Sequence, residues 1–295
     1  MRVFPCAGLV LAVACGARTQ LEVTPEDALA DASAPDALPD AVPDVHRQDC
    51  AEAGVTYVYV IMADSHLAYF DPASDTFNPI APLDCPAAPG DSPNSMAVDR
   101  QGTAYVSYHD GSLFRVDTRT AGCSPTGFVP GQGGWRSYGM GFTTQGAGPA
   151  ETLYVAESSY AQPSRGLATI DVRSYAFGFV GAFSPALGSA VELSGTGDGR
   201  LFAFSVDSPG PGSHLVEVDP AGARVLSSTS LPVGSPSAGF AFAYWGGDFY
   251  VFLSGAGGLP PTTVSRWRPA DGSLTTVATS PSIVVGAGVS TCAPQ

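Results

Sequence analysis

Positive charge is scarce in this chain. Of its 295 residues, 13 are Lys or Arg against 27 Asp or Glu. The net charge of −14 repels phosphate backbones and anionic headgroups, which argues against nucleic acid as a partner and against a polybasic hold on a membrane. Charge of either sign is thin, at 14% of residues, whereas Gly (35) and Pro (26) are abundant. Such a composition starves long helices of polar surface and suits many short strands joined by turns. No apolar run reaches the roughly 20 residues that a membrane-spanning helix requires. Also missing are a GxSxG elbow, an HExxH helix, a Walker loop and a CxxC pair, and no motif calls for a cofactor. The four histidines, His46, His66, His109 and His214, stand singly in the segment before the repeats or in turns, where such side chains are solvated, so no metal site is assigned.

What the chain does have begins at its N-terminus. Arg2 followed by the apolar run Ala7 to Ala14 reads as an export signal covering residues 1–14. Ala12, Val13 and Ala14 then precede Cys15. This resembles the lipobox of bacterial lipoproteins, with Ala12 in place of the usual Leu, and the resemblance implies cleavage before Cys15 and lipid attachment to it. An ordinary signal peptide cut near Ala14 or Ala17 is the alternative, and it would leave Cys15 incidental.

Residues 15–49 read as a tether. Eight acidic residues and one Arg lie between 21 and 49, and Pro-Asp recurs at Pro35, Pro39 and Pro43. Like charges and fixed proline φ angles keep such a segment extended, and it has too little bulky apolar surface to offset chain entropy. Cleavage before Cys15 removes Cys6 and lipid consumes Cys15, so Cys50, Cys85, Cys123 and Cys292 remain. An even set in an exported chain is read as two disulfides.

From residue 50 onward the composition changes and an internal repeat appears. Each unit has an aromatic-centred strand, a turn, and a second strand that closes on an acidic residue. The aromatics Tyr59, Tyr105, Tyr154, Phe202 and Tyr250 are spaced 46, 49, 48 and 48 apart. The second strands close at Asp71, Asp117, Asp171 and Asp219, with Arg268 breaking the pattern. A small-residue or aromatic strand precedes each unit and a Ser/Thr-rich or Phe-rich strand follows. Four strands in about 48 residues is the period of a propeller blade.

The first unit lacks an innermost strand of its own, and residues 282–292 supply a spare one after the fifth. The expected fold is therefore all-β, a five-bladed propeller over residues 50–295, closed by a C-terminal strand that completes the first blade. That strand ends at Cys292, and Cys50 lies just before its antiparallel neighbour, which places both sulfurs at one edge. Cys85 and Cys123 then pair by elimination.

Residues 96–117, "MAVDRQGTAYVSYHDGSLFRVD", resemble the repeat of the NHL and gluconolactonase-like propellers. With its leader and Asp/Pro tether, the chain is similar to propeller lipoproteins of bacteria, which implies a cell-envelope location with the membrane reached only through the N-terminal lipid. In gluconolactonase-like enzymes, inner-strand carboxylates and an Asn hold an axial metal. Here only Asp99 and Glu192 lie in or beside inner strands, and Asp99 also begins a turn, so the metal is not carried over.

Long loops between second and third strands, and between some blades, emerge on one face, where binding residues concentrate. Trp135 and Tyr160 fall there, with Tyr138 just inside a strand start, as candidate anchors for a glycan or a protein. An equal alternative for Trp135 is that it plugs the space between two blades. The resulting expectation is a monomeric, surface-tethered binding or scaffold module. A propeller enzyme of lyase or lactonase type is the rival, to be recognised by polar groups converging on the axis.

Overall fold

The computed structural model describes Cys50 and residues 56–295, apart from 146–147, 160, 208–209, 211, 235–238 and 255–260. The leader, Cys15 and the tether lie outside the described residues.

Among the described residues, twenty strands form five four-stranded antiparallel sheets. Blade one holds β1 (Val58–Met62), β2 (His66–Asp71) and β3 (Thr76–Pro82). Blade two holds β4 (Pro93–Val98), β5 (Thr103–Tyr108), β6 (Leu113–Asp117) and β7 (Cys123–Pro125). Blade three holds β8 (Tyr138–Thr144), β9 (Glu151–Glu157), β10 (Leu167–Ile170) and β11 (Phe177–Gly181). Blade four holds β12 (Ala190–Gly195), β13 (Leu201–Val206), β14 (Ser213–Val218) and β15 (Val225–Ser230). Blade five holds β16 (Phe240–Trp245), β17 (Asp248–Ser254), β18 (Thr262–Arg268) and β19 (Ser273–Ser280). The last strand, β20 (Val284–Val289), runs antiparallel to β1 and is the innermost strand of blade one, so the two ends of the domain close the ring.

Burial falls from axis to rim. β12 and β13 are buried at every position, whereas β15 is exposed along most of its length. Inner strands are covered on both faces by neighbouring blades and therefore read as continuous apolar or small-residue runs, while the outer strands are more exposed, β15 and β19 being rich in Ser and Thr. At the axis the inner strands approach so closely that side chains are excluded. A Cβ on Gly139 would stand 2.2 Å from the Val191 carbonyl oxygen, and one on Gly195 would stand 2.1 Å from that of Phe142.

The acidic residue that closes each third strand has a local cause. The Oδ1 atoms of Asp71, Asp117, Asp171 and Asp219 accept from the backbone N–H two residues on, at 2.8 to 3.0 Å, which starts the turn into the outer strand. In blade five the role moves three residues along to Asp271, whose Oδ1 accepts from the Ser273 N–H at 2.9 Å, which is why Arg268 breaks the sequence pattern.

Both disulfides form as expected. Cys50 and Cys292 join across the closing strand with Cα atoms 5.8 Å apart. Cys85 meets Cys123 at a Cα separation of 4.8 Å. The link after β3 passes beside β7, where the Asp84 carboxylate accepts the Cys123 N–H at 2.6 Å and brings the two sulfurs together.

Candidate functional site

Two of the aromatic residues expected to anchor a ligand are interior. Trp135 is 3% exposed, with Phe177 edge-on at 5.1 Å and the Arg165 guanidinium 5.7 Å above its ring. It follows the 3-10 turn Gln132–Gly134 and packs into the core between blades two and three, as the plug reading required. Tyr138 is 1% exposed, and its hydroxyl is buried without a hydrogen-bond partner among the described residues. Burial raises its phenol above the ordinary value. Both residues sit where the link after β7 enters the small-residue axis, and the core claims their rings before a ligand could. Tyr160 lies outside the described residues. Trp245 and Trp267 are half-buried at the edge of the core.

A carboxyl is buried on an inner strand. Glu192 on β12 is 3% exposed, and its Oε2 accepts the Ser95 hydroxyl at 2.8 Å. Burial drives its pKa well above the usual carboxylate range, against the lowering effect of Ser95 and the Met140 N–H. It borders a cavity of about 30 Å³ shared with Asn94, His109 and Ser158, room for a water or two rather than a ligand. Asp99 is a turn residue, its Oδ1 accepting the N–H groups of Gln101 and Thr103 at 2.9 and 2.8 Å. Among the described residues no three His, Cys, Asp or Glu side chains gather as metal ligands. His66 and His214 lie beside Asp64 and Asp207, at 3.2 and 3.1 Å.

At the opposite end of the axis from the long loops, a groove of about 830 Å³ opens between blades two and three. Tyr105, Phe142, Leu153 and Ile170 form its apolar lining. Asp99, Gln101 and Arg115 line it from blade two, and Glu151, Asp171 and Arg173 from blade three. Glu151 spans to the closing strand. Its Oε1 accepts the Arg100 N–H at 2.8 Å, and its Oε2 accepts the Thr291 hydroxyl at 2.9 Å. Burial outweighs these bonds and pushes its carboxyl up to about 7. Burial likewise pushes the Tyr105 phenol up to about 12, so it remains a hydroxyl at physiological pH.

The groove lies where the repeat changes. The second-strand aromatics Tyr59, Tyr105, Tyr154, Phe202 and Tyr250 pair across with Tyr69, Arg115, Thr169, Glu217 and Arg266 of the third strands. Two residues before each aromatic, and so on the same strand face, stand Tyr57, Thr103, Thr152, Arg200 and Asp248. In three blades this diagonal pair is locked. Tyr57 stacks on Tyr69 at 4.3 Å. Arg200 Nε donates to Glu217 at 2.8 Å while its guanidinium covers Phe202 at 4.6 Å. Arg266 Nε donates to Asp248 at 2.6 Å and lies 5.9 Å from the centre of Tyr250. Blades two and three have Thr103 with Arg115 and Thr152 with Thr169, and neither pair locks. The Arg115 guanidinium has no ion pair or hydrogen bond among the described residues.

The groove and its unpaired arginine escaped the sequence reading, which looked to the loop-rich face. The signal was present in the repeat itself, in the change at one register from charged or aromatic partners to threonine.

No family model matches the chain, and no curated protein matches it. Solved structures do match, with low similarity. A hydrazine synthase chain from Kuenenia stuttgartiensis is 15% identical with a TM-score of 0.39, over 74% of this chain and 64% of that one. A chain of a mitotic checkpoint complex is 12% identical with a TM-score of 0.45, over 96% and 93%. A protein of unknown function from Bacteroides thetaiotaomicron is 12% identical with a TM-score of 0.45, over 77% of this chain and 59% of that one. These scores carry no functional argument, and the propeller is read from the chain's own strand order.

Proposed function

We propose that this protein is an exported β-propeller, anchored through lipid on Cys15, that binds a glycan or protein ligand and holds it at the cell envelope. The observation that carries the binding role is the 830 Å³ groove, whose size lies within the range of ligand sites and whose lining mixes aromatic rings with both signs of charge. Two disulfides support export, because such bonds persist in oxidising, extracytoplasmic compartments. The NHL-like repeat at residues 96–117 is consistent with the architecture and assigns no chemistry.

Export and anchoring are tested by detergent-phase partitioning of the full chain and of Cys15→Ser in a bacterial host. The parent should enter the detergent phase and the variant the aqueous phase; equal partitioning of both would remove the anchor. Binding is tested by screening the exported Cys15→Ser chain against glycans and secreted proteins. Failure to retain any of them would remove the binding role.

A further inference from the structure

The groove between blades two and three contains a positive charge that the repeat elsewhere neutralises. Arg266 of blade five occupies the same register as Arg115 and is held by the Asp248 carboxylate. Glu217 of blade four, at that register again, is held by Arg200. In blade two the residue that would supply the carboxylate is Thr103, and Arg115 projects from an exposed position of β6 into the open groove. Asp99 attracts it without forming an ion pair, its Oδ1 being occupied by its own turn. Arg173, on the other wall, also keeps its guanidinium out of any ion pair among the described residues. The missing group is an anion, and a carboxylate is what the protein itself uses for Arg266.

The remainder of the lining defines what must accompany that carboxylate. Gln101, Thr152, Asp171 and the Tyr105 hydroxyl offer side-chain donors and acceptors on both walls, with aromatic surface beneath them. The walls are turns and faces of β5, β6, β9 and β10, whose backbone groups are spent in their own ladders. An extended peptide needs a free strand edge to satisfy its backbone, and a hydroxyl-rich ligand does not. Three carboxyl groups in the groove, Asp99, Glu151 and Asp171, favour one anionic unit among neutral ones over a dense polyanion.

We infer that the groove binds a sugar acid, a uronate unit within a glycan, whose carboxylate is gripped by Arg115 in the place that Asp248 occupies opposite Arg266. This rests on the binding role proposed above and gives it a ligand class and an anchor residue. The guanidinium offers a bidentate fork for the carboxylate, so the interaction depends on charge and shape together.

The test is titration calorimetry of the exported Cys15→Ser chain with galacturonate, glucuronate, mannuronate and guluronate trimers, each beside its methyl ester. Esterification keeps the hydroxyls and removes the charge. At least one acid trimer should bind, with its ester at least tenfold weaker. Arg115→Ala should weaken the acid at least tenfold with an unchanged melting temperature, whereas Arg119→Ala, an exposed turn arginine outside the groove, should leave binding intact. Equal binding of acid and ester, or full binding by Arg115→Ala, would overturn the assignment. If no acid trimer binds but a neutral glycan or a secreted protein from the broader screen does, the sugar-acid assignment falls and the binding role stands. If nothing binds in either experiment, both fall.

Discussion

The crevice between blades four and five and the groove between blades two and three are built on the same repeat. One encloses about 300 Å³ and the other about 830 Å³. In the smaller crevice Arg200 and Glu217 form two hydrogen bonds of 2.8 and 3.1 Å across the strands, and Tyr244, Phe249 and Trp267 line the same space. In the larger, threonine replaces one member of the pair in blade two, and the arginine that remains faces open space. The hydrophobic layers beneath are alike, Phe202 with Tyr244 and Phe249 in one and Tyr105 with Phe142 and Leu153 in the other. What separates the smaller crevice from the larger groove is thus the polar lid over that layer. A propeller can relinquish a lid at one interface because its cohesion lies deeper, in strands buried on both faces.

The sharpest way to break the comparison is to remove a lock. Asp248 is about nine-tenths buried and holds Arg266 while lying 3.8 Å from Arg268. Asp248→Ala would leave the partly buried Arg266 without its counter-charge, at a cost of about 3 kcal/mol. Arg115→Ala should change stability by less than about 0.5 kcal/mol, since an exposed guanidinium without an ion pair has nothing to lose. Urea unfolding with both disulfides intact checks the two together. Similar losses for both would show that Arg115 is held no less firmly than Arg266 and that the two interfaces do not differ.

Smaller, and specific to the open side, is the effect of pH. Glu151 in the groove has a carboxyl raised to about 7, chiefly by burial. The folded state therefore holds a proton more tightly than the unfolded chain does. The associated stability is fully present below the ordinary carboxylate pKa, near 4.5, and is lost as pH rises through about 7. Partial solvation limits the effect to about 2 kcal/mol. Glu192 at the axis acts in the same direction. Glu151→Gln should flatten the fall between pH 5 and 8 by that amount, as read from unfolding midpoints. An unchanged slope would mean that Glu151 is not the group responsible.

Much of this architecture was legible in the sequence, because a propeller writes its period into strand aromatics and turn aspartates. The spare strand at the C-terminus and the placement of Cys50 before β1 gave the ring closure and one disulfide directly. The Cys85 partner followed only by elimination, since the path of the link past β7 depends on a tertiary hydrogen bond from the Cys123 N–H to Asp84. The aromatic residues on the loop-rich face were misleading for a physical reason. A tryptophan in a link rich in Gly and Pro reads as surface, but Trp135 follows a tight turn and is drawn between two blades, where its ring buries more area than any exposed position allows. The groove was less legible still, because its signal is a difference among repeats at a single register, and its meaning depends on knowing that Arg200 reaches Glu217 and that Asp248 reaches Arg266.

A further variant with little expected effect on stability restores the missing lock. Thr103 stands in blade two where Asp248 stands in blade five, two residues before the strand aromatic and diagonal to the arginine. Thr103→Asp would place a carboxylate opposite Arg115 and reproduce the Asp248–Arg266 arrangement over Tyr105. Half-exposed pairs of this kind contribute at most about 1 kcal/mol, and the neighbouring Asp99 subtracts from that, so the melting temperature should move by no more than a few degrees. The consequence for binding is larger than the consequence for stability. An internal carboxylate tethered beside Arg115 competes with any carboxylate arriving from solution, so the variant should lose the affinity for acid trimers that the parent shows while its neutral-ester affinity stays the same. Calorimetry on the same preparations measures both. Retention of acid binding by Thr103→Asp, with the fold intact, would show that Arg115 is not the group that holds the ligand, and the difference between the locked and unlocked blades would then have no bearing on recognition.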